Sequence, residues 1–299
     1  MTSNTLEQPT AAPVEKHPAQ KRRPSKGPTT ERAQPWLYPV LFVLVLVVLT
    51  PFLWMVLGSV KTQGELLKVP PTWWPEEPTL DNFRRLFDRP FPRYFLNSTI
   101  VAVAVTVGNL LFSSMIGYAL AHLQFPFKKV IFAAVLGCLM IPGLVTFIPQ
   151  YVLVVNMGLA DTLPALILPF LVQPFSVFLM RQFFLGLPKE LAEAGRVDGV
   201  SELGIFFRLY LPLAGPAMAT LGILSFLGSW NNFLWPLVVA SSDSTYTLPV
   251  ALALVSTGQN QTDYGLLLAG ATLVVLPMLL VFLFFQRYFI QGVANTGIK

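Results

Sequence analysis

Long apolar runs alternate with short polar interruptions along most of the chain. Six of these runs have the length of a membrane crossing, which takes about 20 apolar residues in a helix. The pattern therefore predicts an all-α, polytopic membrane protein with six transmembrane helices. The predicted helices cover residues 36–60, 95–123, 130–155, 163–184, 213–240 and 264–285.

Prolines interrupt the third and fourth predicted helices. Because proline removes a backbone donor and clashes with the preceding turn, we expect both helices to be kinked. Freed carbonyl groups near the bilayer midplane fit a transport path, although proline in membrane helices also serves packing. The prolines are Pro142, Pro149, Pro164, Pro169 and Pro174.

The polar segments divide the chain into regions. Residues 1–35 are rich in proline and basic side chains, which predicts a disordered, basic cytoplasmic tail. Residues 61–94 predict an extracytoplasmic interfacial segment, with Trp73 and Trp74 at headgroup depth. Within it the apolar side chains expected on the membrane surface are Leu80, Phe83, Leu86 and Phe87. The other predicted regions are the first helix, a core of five transmembrane helices over 95–290 that includes a polar loop at 187–212, and a cytoplasmic C-terminal tail at 291–299.

The composition supports a membrane protein. Hydrophobic residues make up 54% of the chain and charged residues 12%, whereas an ordinary soluble domain has roughly 25% charged residues. The net charge of +5 is therefore interpreted by side of the bilayer and does not indicate nucleic-acid binding. The single cysteine, Cys138, excludes an internal disulfide, and we expect a packed apolar thiol there.

The basic residues predict the orientation. With the N-terminus inside, 14 of the 20 Lys and Arg residues fall in cytoplasmic segments, Arg181 at the end of the fourth run among them. The other six lie between Lys61 and Arg93, and the two later outside loops have none. Because cytoplasmic loops carry more Lys and Arg, both termini are expected in the cytoplasm.

The longest polar interruption in the second half of the chain, residues 187–216, predicts two short helices. Pro188 suits a first helical position and Gly199 the position after a helix end. Ser201 suits the cap of a second helix that ends near Pro212. The first helix has an expected apolar face of Leu187, Leu191, Ala194 and Val197 and a charged face of Lys189, Glu190, Glu193 and Arg196, with Lys189/Glu193 and Glu193/Arg196 as ion pairs.

The order Glu193-Ala194-Gly195, then Asp198-Gly199, then Leu211-Pro212 resembles the EAA loop of ABC importer permeases, in the version of the sugar-uptake group related to the maltose permease. The resemblance implies the type I ABC importer permease fold and a cytoplasmic coupling helix that sits in a groove of an ATPase subunit. Gly195, Val200 and Leu209 depart from the family pattern, and Gly195 keeps the small side chain that close docking needs. The implied coupling residues are Glu190, Glu193, Ala194, Gly195, Asp198, Gly199 and Pro212.

Polar side chains inside the predicted helices indicate where a solute could pass. Amides beside tryptophan rings suit a sugar, which has hydroxyl groups and apolar faces. Residues 230–236 also resemble a stretch typical of sugar permeases, as do Asn97-Ser98 and residues 285–292. Helix packing by amides explains the same residues equally well. The substrate-path candidates are Asn109, Gln173, Trp230, Asn231 and Asn232.

The resemblance also implies partners. They are a second, related permease chain that completes a heterodimer, two copies of a cytoplasmic ATPase, and an extracytoplasmic solute-binding protein, with membrane lipid around the helices. We expect the binding protein to contact the polar outer loop 241–263. The implied compartment is the plasma (inner) membrane of a prokaryote.

Motifs for catalysis are missing from the sequence. It has no GxxxxGK[ST] loop and no His or carboxylate cluster with metal-ligand spacing, so we expect no catalytic residue, no metal and no cofactor on this chain. ATP and Mg would be bound by the ATPase partners. One alternative is an importer permease for another solute, such as a glycerol phosphoester, an amino acid or a peptide. Another is a stand-alone carrier or channel, although a proton- or sodium-coupled carrier commonly has an ionisable group within the membrane.

Overall fold

The computed structural model describes residues 35–256 and 262–296. The predicted basic tail, apart from its last residue, lies outside these ranges, as do residues 257–261 and 297–299. The chain divides into two compact units between Val48 and Leu49, within the first helix. In the described part of the first unit, the helix consists almost entirely of exposed apolar side chains.

The regular structure of the described residues is helical. The α-helices are α1 Leu37–Ser59, α2 Gln63–Leu66, α3 Asp81–Phe87, α4 Phe91–His122, α5 Lys128–Met140, α6 Gly143–Asn156, α7 Leu163–Ile167, α8 Pro174–Leu185, α9 Glu190–Val197, α10 Glu202–Ile205, α11 Leu211–Leu213, α12 Gly215–Trp230, α13 Leu234–Val239, α14 Leu248–Ser256 and α15 Tyr264–Thr296. A 3-10 turn, Leu168–Phe170, joins α7 to α8, and a π-helical turn, Phe206–Tyr210, joins α10 to α11.

Within the described residues, up to six membrane crossings can be assigned by length and composition. Helices α1, α4 and α15 are each long and apolar enough to cross alone. Three bent pairs make the others when each pair counts as one crossing: α5 with α6, α7 and its 3-10 turn with α8, and the α10–α11 stretch with α12. The predicted all-α, six-span architecture is confirmed.

Three of the predicted helices are broken. The fourth, expected to be kinked, bends by 41° between its 3-10 turn and α8. The third changes direction by 106° between α5 and α6. Ile141 and Pro142 are both extended there. Ile141 precedes a proline, and a residue in that position avoids the helical region. Pro149 lies inside α6 without ending it. The fifth predicted helix ends at Trp230, ten residues before its predicted limit at 240, and resumes as α13 after a break.

The last helix is longer than its apolar run. It was expected to end at 285, with a separate tail from 291, but α15 continues to Thr296. Gln286 and Arg287 end the hydrophobic pattern, yet both residue types favour a helix, so polarity and helix end do not coincide.

Helix α4 lies at the centre of the second unit and packs against α8 and α12. A Cβ atom on Gly117 of α4 would lie 2.8 Å from the Met180 Cβ and 2.9 Å from the Arg181 amide nitrogen of α8. This glycine therefore allows the two backbones to approach closely, as small residues do in membrane helix pairs.

The segment between α1 and α4 packs on protein as well as facing outward. Leu86, predicted to lie on the membrane, is only 1% exposed, and the buried Asn82 amide donates to the Ser59 carbonyl at 2.9 Å. Leu80 and Phe87 of the same predicted face are exposed. The prediction was wrong for Leu86 because an apolar stripe looks the same whether lipid or protein covers it.

Two other expectations need correction. Cys138, expected to be packed, is exposed on α5, a helix with no buried residue in this chain. The outer region 241–263, expected to be a polar loop, contains α14, whose Leu248 and Val250 are fully buried.

Candidate functional site

The polar interruption forms a compact unit, called here the loop element, of residues 187–213. Helix α9 begins at Glu190 rather than at Pro188, whose carbonyl instead accepts a hydrogen bond from the Tyr210 hydroxyl at 3.0 Å. Its end matches the prediction: Gly199 follows the cap residue Asp198 and has a φ of +74°, a conformation that glycine adopts without strain.

The second half of the loop element also follows the prediction. The Ser201 hydroxyl accepts from the Gly204 amide at 3.3 Å and so caps α10, as expected. The helical turns continue through the π-helical turn into α11, which contains Pro212 and ends at Leu213. The predicted limits of this second helix are therefore confirmed.

The buried face of α9 differs from the expected one. Ala192 and Gly195 are buried, whereas Ala194 is exposed and Val197 is 88% exposed. The tight fit at Gly195 is internal, because an added Cβ would lie 2.9 Å from the Ile205 Cγ1. Because α9 has only two turns, its contact with Ile205 determines which face is buried. The number of apolar residues on each face does not.

The Arg196 side chain pairs with Glu202, not with Glu193. Its Nε lies 2.6 Å from the Glu202 Oε1, and neither expected ion pair of Glu193 forms within the ranges that the structure describes. The hydrogen bond to Glu202 raises the pKa of Arg196. Glu202 also accepts from the Tyr118 hydroxyl of α4 at 3.0 Å, so one carboxylate joins α9 to a membrane helix.

An aromatic cluster also packs where the loop element meets α4. The rings of Tyr118 and Tyr210 lie 5.1 Å apart, and the His122 ring lies 4.5 Å from that of Tyr210. His122 forms a hydrogen bond of 2.9 Å with the Phe184 carbonyl of α8. The inner side of the loop element is thus held by α4 and α8.

The opposite side of α9 is uncovered. Glu190, Glu193 and Ala194 are exposed there, together with Val197. Leu203, in the next helix, is 59% exposed. Within the described part of the chain, this face therefore combines acidic and apolar side chains that no other helix covers.

The structure separates the five substrate-path candidates. Asn109 is fully buried, and its amide nitrogen donates to the Ser176 hydroxyl at 2.9 Å and to the Ser225 hydroxyl at 2.6 Å. Its oxygen accepts from the Ser113 hydroxyl at 2.8 Å and from the backbone N–H of Gln173 at 3.1 Å. Asn109 therefore joins α4, α8 and α12.

Trp230 has a packing position as well. Its side chain is 2% exposed, and its indole nitrogen donates to the Val274 carbonyl at 3.2 Å. Its ring stacks on that of Phe226, with ring centres 5.6 Å apart. Asn231 is exposed, and its amide donates to the Leu227 carbonyl at 2.9 Å.

The remaining two candidates, Gln173 and Asn232, meet in one cleft of about 420 Å³. Ser229 and Cys138 also line it. Sequence reasoning treated Cys138 only as a packing residue, and its position next to the Pro142 break was the available signal.

A clamp at another part of the chain was not anticipated. The Asp161 carboxylate accepts from the Ser241 and Ser242 amides, at 2.8 and 3.1 Å, and from the Thr245 hydroxyl. The Ser241 amide is the main reason why the pKa of Asp161 falls to about 2. An aspartate between α6 and α7 looks like an ordinary turn residue, so the sequence offers no signal for this role.

The Asn97-Ser98 pair holds the same outer segment from α4. The Asn97 amide donates to the carbonyls of Ser244 and Tyr246, both at 3.0 Å. The Ser98 hydroxyl accepts from the Leu248 amide at 2.7 Å. Residues 241–248 are thus ordered by side chains from two other regions.

Comparison with known proteins gives a consistent result. The family described as binding-protein-dependent transport system inner membrane component matches residues 110–295. The arabinooligosaccharides transport system permease protein AraQ of Halalkalibacterium halodurans is 42% identical over 269 residues, which cover 88% of this chain and 96% of that protein. The sn-glycerol-3-phosphate transport system permease protein UgpE of Pectobacterium atrosepticum is 31% identical, with 86% and 94% covered.

A solved structure has the same fold. A chain of a bacterial ABC transporter involved in the import of the acidic polysaccharide alginate superposes with a TM-score of 0.77, over 85% of this chain and 95% of that one, at 22% identity. The predicted importer-permease fold is confirmed.

Proposed function

Since this chain belongs to the family of binding-protein-dependent transport system inner membrane components, we propose that it forms half of the translocation path of an ATP-driven sugar importer. Family membership makes it a multi-pass membrane transport protein and leaves the stand-alone carrier without support. In the proposal, the chain has no ATPase site of its own, and ATP and Mg are bound by the ATPase partners.

The cargo is an oligosaccharide or a related carbohydrate. The 42% identity to an arabinooligosaccharide permease, over nearly its whole length, supports this choice. A glycerol phosphoester is the second candidate, because a glycerol-3-phosphate permease is 31% identical over a similar span.

The observation that carries the coupling mechanism is the two-sided character of α9. One side is joined to α4 through Arg196, Glu202 and Tyr118, and the other exposes Glu190, Glu193 and Ala194. We assign the exposed side to the groove of an ATPase subunit. Three of the other predicted coupling residues shape α9: Gly195 allows close packing on Ile205, and Asp198 and Gly199 end the helix. Pro212, the last of them, lies in α11.

Transport follows from this connection. Closure of the ATPase pair on ATP displaces α9, and the displacement reaches α4 because the Arg196–Glu202–Tyr118 bonds and the aromatic cluster connect the two helices. The Asn109 network then moves α8 and α12 with α4. Helices that carry the cleft change their positions, which is the basis of alternating access.

The assembly consists of this chain, a second related permease chain, two ATPase copies and a solute-binding protein. Both termini are cytoplasmic. The concentration of Lys128, Arg181, Lys189 and Arg196 at the end that contains the loop element supports this orientation. The binding protein contacts the outer region at the opposite end, where hydrogen bonds from Asp161 and Asn97 hold residues 241–248 in place.

Charge reversal on α9 tests the proposal. Glu193→Lys places a cation on the exposed face and is expected to abolish copurification of the ATPase and ATP-dependent uptake of arabinotriose. Glu77→Lys, the same change at an exposed glutamate of the outer segment, is the matched control and should change neither. Normal ATPase capture and uptake by the Glu193 variant would refute the docking of α9.

A further inference from the structure

Three helix breaks meet at the cleft of Gln173 and Asn232. The break between α5 and α6 contributes Ile141, the start of α8 contributes Gln173, and the residues after α12 contribute Asn232. Each break leaves backbone groups without helical partners, which within a membrane requires a polar or hydrated surrounding. Discontinuous helices of this kind surround solute sites in transporters.

The polar side chains of the cleft have hydrogen-bonding capacity to spare. No described residue bonds to the Gln173 side-chain amide or to the Ser229 hydroxyl. The Asn232 oxygen accepts from the Trp235 amide at 3.4 Å, which leaves the Asn232 NH₂ group unused. Two amides and a hydroxyl thus offer both donors and acceptors to a ligand.

The other walls are apolar. Phe170 and Phe175 line the cleft beside the polar side chains. A pyranose or furanose ring has hydroxyl groups at its rim and C–H groups on its faces, so it requires this mixture. The volume of about 420 Å³ falls within the range of small-molecule sites, about 300–1,000 Å³.

Charge is the feature that selects among cargoes. Of the described residues that line the cleft, none is Lys, Arg, His, Asp or Glu. A phosphate monoester that entered this cleft would lose its hydration without a cation to replace it, which is strongly unfavourable. A neutral polyhydroxylated solute has no such cost.

We infer that this cleft binds a neutral carbohydrate during translocation, with Gln173, Ser229 and Asn232 as its hydrogen-bonding residues, and that it excludes anionic phosphoesters. The inference rests on the proposed function and adds to it a site on this chain and a charge requirement for the cargo. A second cavity of about 430 Å³ lies between α4, α12 and α15, but Met218, Phe226 and Val281 give it an almost wholly apolar lining, which suits lipid or a partner helix.

Cys138 provides the first test, because it lines the cleft and is the only cysteine of the chain. The assembled transporter in proteoliposomes, supplied with binding protein and ATP, is treated with a small polar maleimide, and labelling is followed by the intact mass of this chain. Arabinotriose should slow the labelling of Cys138 at least threefold, whereas sn-glycerol 3-phosphate should leave it unchanged. A Cys138→Ser chain controls for background labelling.

Two results would overturn the inference. If Cys138 remains unlabelled without sugar, the cleft is not accessible from water. If arabinotriose and glycerol 3-phosphate have equal effects on labelling, the cleft does not select neutral solutes.

Substitution provides the second test. The double variant Gln173→Leu/Asn232→Leu should lower arabinotriose uptake at least tenfold while binding-protein-stimulated ATP hydrolysis stays within twofold of the unchanged chain. Asn156→Leu, at an exposed amide at the end of α6, is the matched control and should leave uptake within twofold. Gln173→Asn, which keeps an amide, should recover part of the loss if the variant fails through binding rather than folding.

The two levels of the argument fail in different ways. If the unchanged transporter takes up neither arabinotriose nor other neutral oligosaccharides, the proposed function is wrong. If it takes them up and the double variant does so at the same rate, only the cleft is wrong.

Discussion

The Glu202 carboxylate accepts hydrogen bonds from Arg196 on α9, at 2.6 Å, and from the Tyr118 hydroxyl on α4, at 3.0 Å. One side chain therefore connects the exposed loop element to the most central membrane helix. Tyr118 is 3% exposed, so access of water to its hydroxyl is restricted. Loss of either bond would separate movement of α9 from movement of α4.

Tyr118→Phe should uncouple movement of α9 from movement of α4. The variant keeps the ring contacts with Tyr210 but removes the hydroxyl that reaches Glu202, so the ATPase should still copurify while the ratio of solute transported to ATP hydrolysed falls several-fold. The measurement is uptake and hydrolysis in the same proteoliposomes. Tyr151→Phe in α6 is the control, and an unchanged ratio in Tyr118→Phe would show that the hydroxyl has no part in coupling.

Gly199 is expected to tolerate few side chains. Its φ of +74° is strained for a β-branched residue, so Gly199→Val should destabilise the loop element by about 1–3 kcal/mol. Gly199→Asn should cost less, because asparagine enters the left-handed region more readily. Thermal unfolding of the purified complex tests this order. Gly143→Val, at a position with open space and an ordinary φ, controls for the added side chain, and equal losses at both positions would contradict the argument.

Substitution of Asn109 is expected to lower the stability of the folded chain without changing which cargo is transported. Asn109→Ala removes the buried partner of the Ser176 hydroxyl, the Ser225 hydroxyl and the Gln173 backbone N–H. Each group left unsatisfied should cost about 1–3 kcal/mol of stability. The melting temperature should fall while the relative uptake of different oligosaccharides stays the same. Ser113→Ala removes one bond and should cause a smaller decrease. A changed cargo preference at normal stability would restore Asn109 to the substrate path.

The Asp161 clamp predicts a response to acid. The pKa of this carboxyl falls from 3.8 to about 2 in the folded chain, chiefly through the Ser241 amide. A lowered pKa means that the stabilisation is fully present above pH 3.8 and is lost as the pH falls through about 2.

Hydrogen exchange of residues 241–247 checks this, after correction for intrinsic rates. Protection should decrease between about pH 4 and pH 2 in the unchanged chain. Asp161→Ala should show the unprotected rates already at about pH 5, where Asp81→Ala, a change at an exposed aspartate of the outer segment, should not. Equal protection in the Asp161 variant and the unchanged chain would mean that other contacts hold the segment.

The sequence by itself determined the features that depend on neighbouring residues. Six apolar runs specify six crossings, since a helix must hide its backbone from lipid wherever the chain is long and apolar enough. Gly199 and Ser201 were assigned correctly to a helix end and a helix start, because left-handed backbone and an unpaired amide each demand particular residue types.

Only the tertiary structure decided the features that depend on distant residues. Asp161 meets Ser241 across 80 positions, and Asn109 meets Ser225 across 116, and no local pattern records either contact. The sequence also failed to predict which face of α9 is buried and that protein covers Leu86, for a related reason. Protein and lipid attract the same apolar side chains, so hydrophobicity indicates that a face is covered, but the fold alone indicates what covers it.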